Sequence, residues 1–138
     1  EEIRLPEMSK YASKVSAIPA VRDFLLELQR DQARRRSVIM DGRDIGTVVL
    51  PDATVKIFLT AAPEVRAMRR FRELEQRGTS QPYDQVLRDI VDRDWADSHR
   101  DIAPLCKAED AVVLDTGALT FDESLRLLLD TIRRRAGL

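Results

Sequence analysis

A chain of 138 residues is long enough for one domain with one core, and 43% hydrophobic with 34% charged residues excludes a disordered tail. A net charge of −1, from 23 basic and 24 acidic residues, excludes a general affinity for nucleic acid or an anionic membrane, so any anion site has to come from local clustering of arginine. A lone cysteine, Cys106, excludes an intrachain disulfide and leads to a reducing compartment, the cytoplasm, while no apolar run approaches the roughly 18 residues of a membrane span.

The chain opens on Glu1-Glu2-Ile3-Arg4, with neither a secretory signal nor an initiator Met, which predicts a piece of a longer protein. Pro6 suits a first helical turn, and Met8, Tyr11, Ala12 and Val15 follow at helical spacing. A second helix is predicted after Pro19, with Val21, Phe24, Leu25 and Leu28 as its apolar stripe and Arg34-Arg35-Arg36 at its carboxyl end, where the macrodipole favours cations. Ser37–Met40 then reads as a short buried strand entering a loop at Asp41-Gly42. Val55–Leu59 and Ala111–Leu114 are two more such runs. A helix opens at Pro63 and runs to about Gln76, stopped by Gly78. Another begins near Tyr83 and carries Val86, Leu87, Ile90 and Val91. Thr120 through Glu123 is a capping box for a last helix with Leu125, Leu128, Leu129 and Ile132 on one face.

Short buried strands alternating with helices predict an α/β layer structure with a parallel sheet, in one domain without repeats. Only about 14 residues separate Met40 from Val55, too few for a covering helix, so those two strands are expected to be non-adjacent.

Three groups of residues can carry chemistry. Asp41-Gly42-Arg43-Asp44-Ile45-Gly46-Thr47 follows a strand, where ligands collect in open α/β sheets; Arg43 can fork onto phosphate and Asp44 can accept from an amino group. The plainer alternative is a polar turn with an internal Arg43–Asp44 pair. In the helix after Pro63, Arg66, Arg69 and Arg70 lie on one side, with Arg77 beyond, opposite Val65, Met68 and Phe71. They form either a solvated face partly neutralised by Glu64, Glu73 and Glu75, or cations that close over transferring phosphates. Arg93, Asp97 and Arg100 fall at i, i+4 and i+7, as a surface ladder extended back by Asp89 or as a wall for a ligand with phosphate and hydroxyls. His99 has no locally placed Ser or Cys partner for a triad, Cys106 has no companion for zinc, and Asp115-Thr116-Gly117 lacks the context of an aspartic protease. No metal ligands are assigned.

The stretch from Asp41 to Ala53 closely resembles the strand-and-loop block of bacterial cytidylate kinases. The likeness continues in order through Lys56–Leu59, Arg69-Arg70, Arg93-Asp94, Ile102–Leu105 and Val113–Thr116, and upstream through Ala12–Ser16 and Pro19–Arg22. The resemblance implies transfer of the γ-phosphoryl of ATP, with Mg²⁺, to CMP or dCMP. By position it implies that Ser13, Arg22 and Asp44 read cytosine, that Arg43, Arg93 and Arg100 hold the monophosphate, and that Asp97 with Arg93 approaches the sugar. Arg66, Arg69 and Arg70 would lie on a mobile lid helix facing ATP, with Arg69 or Arg70, together with Arg93, acting on the transferring group. It divides the chain into the end of a monophosphate-binding insert (about 1–18), lid helices (about 61–100) and core.

The family's fold, a P-loop three-layer parallel sheet of the nucleoside-monophosphate-kinase type, would be incomplete here. The five glycines, Gly42, Gly46, Gly78, Gly117 and Gly137, make no G-x-x-x-x-G-K-[ST] loop. In the family that loop follows a strand lying between those represented by Ser37–Met40 and Val55–Leu59. The expectation is a kinase whose amino-terminal P-loop segment lies outside these residues, with a separate piece carrying it as one form of partner, and negligible activity from the 138 residues alone. The alternatives are a related shikimate-, uridylate- or adenylate-type kinase, and a non-catalytic domain that binds a nucleotide or a partner.

Overall fold

The computed structural model describes residues 6–16, 18–79 and 81–138; of residues 6, 7, 9, 10 and 13 it describes the backbone only. Helices α1 (Pro6–Ser16) and α2 (Pro19–Arg35) lead through an irregular segment into a single π-helical turn, Ile45–Val49. Strand β1 (Ile57–Thr60), the helix pair α3 (Pro63–Gln76) and α4 (Tyr83–His99), strand β2 (Val112–Asp115) and helix α5 (Phe121–Ala136) follow. The architecture is α/β with a small parallel sheet: β1 pairs with β2, Ile57 opposite Val112 and Thr60 opposite Asp115. The ladder is prolonged at its carboxyl end, where Thr116 N donates to the Thr60 carbonyl at 2.9 Å and the Thr116 hydroxyl to the same oxygen at 3.2 Å.

Helix ends follow their sequence signals. Pro63 occupies the first turn of α3, where its missing N–H is no loss. Gly78, at φ +71, lets the chain turn out of α3 through the left-handed region. Thr120 and Glu123 form the reciprocal capping box of α5: Glu123 N donates to Thr120 Oγ1 at 3.3 Å, and Thr120 N to Glu123 Oε2 at 2.8 Å.

The best-packed region is the α3–α4 hairpin. Ala67, Leu74 and Val86 are buried, with Phe71, Tyr83, Leu87 and Ile90 against them, and Phe71 meets Tyr83 edge-to-face at 6.2 Å. Full burial of a Leu or Val contributes roughly 1.5–3 kcal/mol. Ala67, at 0% exposure, leaves no room for a larger side chain without forcing the helices apart. The apolar face of α3 is therefore Ala67–Phe71–Leu74, and Met68, expected on it, is exposed.

Two expectations are corrected. Ser37–Met40 is not a strand of the sheet: no described segment pairs with it, and Ile39 is 97% exposed. A strand exists only through a neighbour's ladder, and β1 takes β2 instead. Of the stripe expected on α2, Val21 is half-buried, but Phe24, Leu25 and Leu28 are likewise exposed, Phe24 by 69%. Arg22 and Arg30, both half-buried, are the α2 side chains that reach the π-turn and the Asp44 before it. No described helix is long and apolar enough to cross a membrane.

Candidate functional site

Three stretches distant in sequence meet around two carboxylates. They are Arg22 on α2, Arg43-Asp44 leading into the π-turn, and the carboxyl end of α4. Arg22 Nη2 donates to Asp44 Oδ2 at 2.5 Å, and Arg100 Nη2 lies 3.9 Å from Asp44 Oδ1. Arg43 Nε donates to Asp97 Oδ2 at 2.9 Å, and Arg93 Nε lies 3.8 Å from that same oxygen. An internal Arg43–Asp44 pair is therefore not what this loop makes. Each of its charges reaches across the fold to a different helix.

Asp97 is 7% exposed, a position where an aspartate persists only when paired. Its own carbonyl accepts from Leu105 N at 2.7 Å, folding the 100–105 segment back on the end of α4. That segment is tight. Ala103 sits at φ 50, a strained conformation for a residue with a Cβ, and its carbonyl accepts from Arg100 Nε at 2.6 Å.

The ladder expected from Arg93 through Asp97 to Arg100 is thus corrected. Helix α4 ends at His99, and Arg100 is already extended. Leaving the helix before Pro104 swings Arg100 off the face of Asp97 and towards Asp44. Asp89 is not part of the ladder either; it accepts from Gln81 at 3.0 Å and from Gln85 at 2.9 Å.

Electrostatically, four guanidiniums surround two carboxylates, which leaves two positive charges in excess. That matches the −1.5 to −2 of a phosphate monoester at neutral pH. Arg100 Nη2 is buried and has no hydrogen-bond partner among the described residues. Such a donor costs about 1–3 kcal/mol unless an acceptor meets it, and a ligand oxygen would do so.

The three arginines of α3 singled out from the sequence, Arg66, Arg69 and Arg70, do not converge. Arg66 spends its donors on Ala61 O at 2.9 Å and on Asp94, Nη1 to Oδ1 at 3.0 Å and Nη2 to Oδ2 at 2.5 Å. Donating to the Asp94 carboxylate raises its already high pKa, against a smaller opposing effect of burial. Arg69 reaches over to the end of β2, Nη2 to Thr116 O at 2.5 Å and Nη1 to Thr116 Oγ1 at 3.2 Å. Arg70 donates to Glu73 at 2.8 Å, a carboxylate that Arg77 also contacts at 2.6 Å. Their targets differ: Arg66 reaches Ala61 and α4, Arg69 the end of β2, and Arg70 only Glu73 on its own helix.

Ser13 lies on α1, and its side chain is outside the described residues. His99 stacks on Trp95 at 4.6 Å, its Nδ1 2.8 Å from the Trp95 carbonyl, and Cys106 is exposed. Asp115 accepts from Gly117 N at 2.7 Å, making its Asp-Thr-Gly run the turn that ends β2. Sequence reasoning assigned no role to Asp94 or Arg30. Asp94 meets Arg66 from 28 residues away, and Arg30 binds backbone carbonyls, so neither leaves a local spacing signal.

A family profile described as cytidylate kinase matches residues 1–134. The chain is 50% identical over 135 residues to a cytidylate kinase of Fervidobacterium nodosum, covering 98% of this chain and 62% of that protein. It is 51% identical over 137 residues to one from Caldicellulosiruptor saccharolyticus and 50% identical over 137 to one from Mycobacterium leprae, in each case 99% of this chain and 61% of the relative. The chain therefore spans about three fifths of the length of these curated relatives.

Proposed function

The chain belongs to the cytidylate kinase family, and from that membership we propose that the protein transfers the γ-phosphoryl of ATP to CMP or dCMP, giving CDP or dCDP. The observation that carries this reading is the pair of carboxylates bracketed by four arginines, with an unpartnered Arg100 donor between the π-turn and α4. In the proposal Arg43, Arg93 and Arg100 receive the monophosphate. Asp44 accepts from the cytosine amino group, Arg22 and Ser13 donate to the ring acceptors, and Asp97 with Arg93 meets the sugar. A base read by buried hydrogen bonds is discriminated strongly, because an analogue leaves polar atoms unpaired.

Positioning and charge neutralisation are what such a transfer needs. Arg66, Arg69 and Arg70 are proposed to serve the ATP side, with residues 61–100 as the lid and residues up to about 18 as the end of the monophosphate insert. Mg²⁺ bound with ATP would neutralise phosphate charge. The part proposed for this chain's own residues is to bind and orient the acceptor. We further propose the three-layer P-loop sheet for the whole protein, with its central strand between residues 37–40 and β1. The absence of a described partner for residues 37–40 and the exposed Ile39 support that placement. A cytoplasmic location suits a lone, exposed Cys106.

The test is calorimetric titration of the chain with CMP, UMP, AMP and shikimate, beside a coupled assay with ATP and Mg²⁺. CMP is expected to bind best, with negligible turnover because no phosphate-cradling motif is present in these residues. Preference for another acceptor would overturn the CMP assignment. Normal turnover would overturn the proposed division of labour.

A further inference from the structure

Arg30 is absent from every set of residues named above for substrate, yet it grips the backbone unit that carries Asp44. Its Nη2 donates to the Val48 carbonyl at 2.8 Å and its Nε to the Val49 carbonyl at 3.1 Å. These are the last two carbonyls of the π-turn, groups that a helix end leaves without intrahelical donors. A guanidinium presents parallel N–H groups in a rigid plane, so one side chain can serve two successive carbonyls, and its charge suits the negative end of the turn.

The turn itself behaves as a unit. The amides of Thr47, Val48 and Val49 converge on the Asp44 carbonyl at 3.3, 2.9 and 3.1 Å, and Leu50 N donates to Ile45 O at 2.7 Å. Val49 is buried beneath it. At the other end Asp44 has φ −127 and ψ 13, outside the main helical and extended regions, so neighbouring contacts must hold its conformation. Gly42 lies close against the turn: a Cβ there would lie 2.8 Å from Ile45 Cγ1, so a larger residue would force the Ile45 side chain to shift. Single π-turns are rare and recur at functional sites.

Helix α2 thus holds this unit at both ends, with Arg22 on the Asp44 carboxylate and Arg30 on the carbonyls beyond it. We propose that Arg30 is a positioning residue: by clamping the carboxyl end of the Ile45–Val49 turn to α2, it fixes where Asp44 and Arg43 meet the substrate. This rests on the reading of Asp44 as a base-recognising residue. Arg30 touches no substrate and acts only through the turn.

The test compares the full chain with Arg30→Ala, Arg30→Lys and Asp44→Ala, using amide hydrogen exchange resolved at residues 45–50 and calorimetric titration with CMP. Both Arg30 variants are expected to speed exchange at Thr47–Leu50 by about tenfold and to weaken CMP binding by about fivefold or more. Exchange in α3 and α4 should be unaltered. Lysine keeps the charge and stem but not the two-carbonyl fork, so it tests the geometry even if the alanine variant folds poorly. Unchanged exchange at 47–50 would overturn the proposal, as would faster exchange with intact CMP affinity in a protein where Asp44→Ala abolishes binding. If Asp44→Ala leaves CMP affinity intact, or the unaltered chain binds no CMP, the functional reading has failed, and the clamp stands or falls on exchange alone.

Discussion

Arg66 of α3 forks onto Asp94 of α4, Nη1 3.0 Å from Oδ1 and Nη2 2.5 Å from Oδ2, while its Nε holds the Ala61 carbonyl at the end of β1. One side chain therefore ties the start of the helix pair to the strand before it. Both partners are about one-third exposed, so water screens the pair and the coupling should be about 1 kcal/mol. A double-mutant cycle of Arg66→Ala and Asp94→Ala in urea unfolding measures it. Strictly additive losses would show that the fork does not join the helices.

Arg69 and Arg70 are adjacent in sequence but differ in what they hold. Arg69 spans from α3 to the Thr116 carbonyl and hydroxyl, whereas Arg70 reaches only Glu73 on its own helix. Arg69→Ala is expected to lower stability by about 1 kcal/mol, since α3 loses its tie to β2. Arg70→Ala should change it by less than about 0.5 kcal/mol. Parallel thermal melts decide this, and the reverse ranking would exclude Arg70 as the arginine free to swing towards a transferring phosphate.

The helices were legible because a 3.6-residue period and end signals are local. Pro63, Gly78 and the Thr120–Glu123 box bound α3 and α5 much as the sequence predicts. The face of α2 was not, since periodicity finds an apolar stripe without saying what covers it. Here Phe24 and Leu28 are open, and the helix turns Arg22 and Arg30 inward. Ser37–Met40 has the composition of a strand, but a strand is a property of a pair. At the site, spacing found the Arg93–Asp97 contact and mistook Arg100, because the end of α4 is set by the fold of residues 100–105.

Two carboxyls should shape the acid limb of stability. The hydrogen bond from Lys56 holds Asp110 below the ordinary aspartate range, and the Thr120 amide, followed by its hydroxyl, does the same for Glu123. A carboxyl whose folded pKa is depressed binds fewer protons folded than unfolded. Its contribution is full above the unfolded value of about 4 and disappears as pH falls through the folded one. Asp110→Asn and Glu123→Gln should each lower the melting temperature near pH 6, and the gap from the unaltered chain should close as pH drops below about 4. A gap constant down to about pH 2 would mean that neither ionised group contributes through its partner.

Asp44 offers the sharpest separation between recognition and scaffolding. Its carboxylate lies between Arg22 and Arg100, and the arginines around Asp97 are left untouched by its removal. If Asp44 reads the cytosine amino group, Asp44→Ala should weaken CMP by about 100-fold, the scale of leaving a buried donor without its acceptor. Ribose 5-phosphate, which has the sugar and phosphate but no base, should bind as well as before or better. Arg22 and Arg100 would no longer be neutralised by a neighbouring carboxylate, and the local positive excess would grow by one charge. Calorimetry with both ligands, on protein whose circular dichroism is unchanged, gives the ratio. An equal loss for the two would make Asp44 an anchor for Arg22 rather than a reader of the base, and unchanged CMP affinity would remove it from the site.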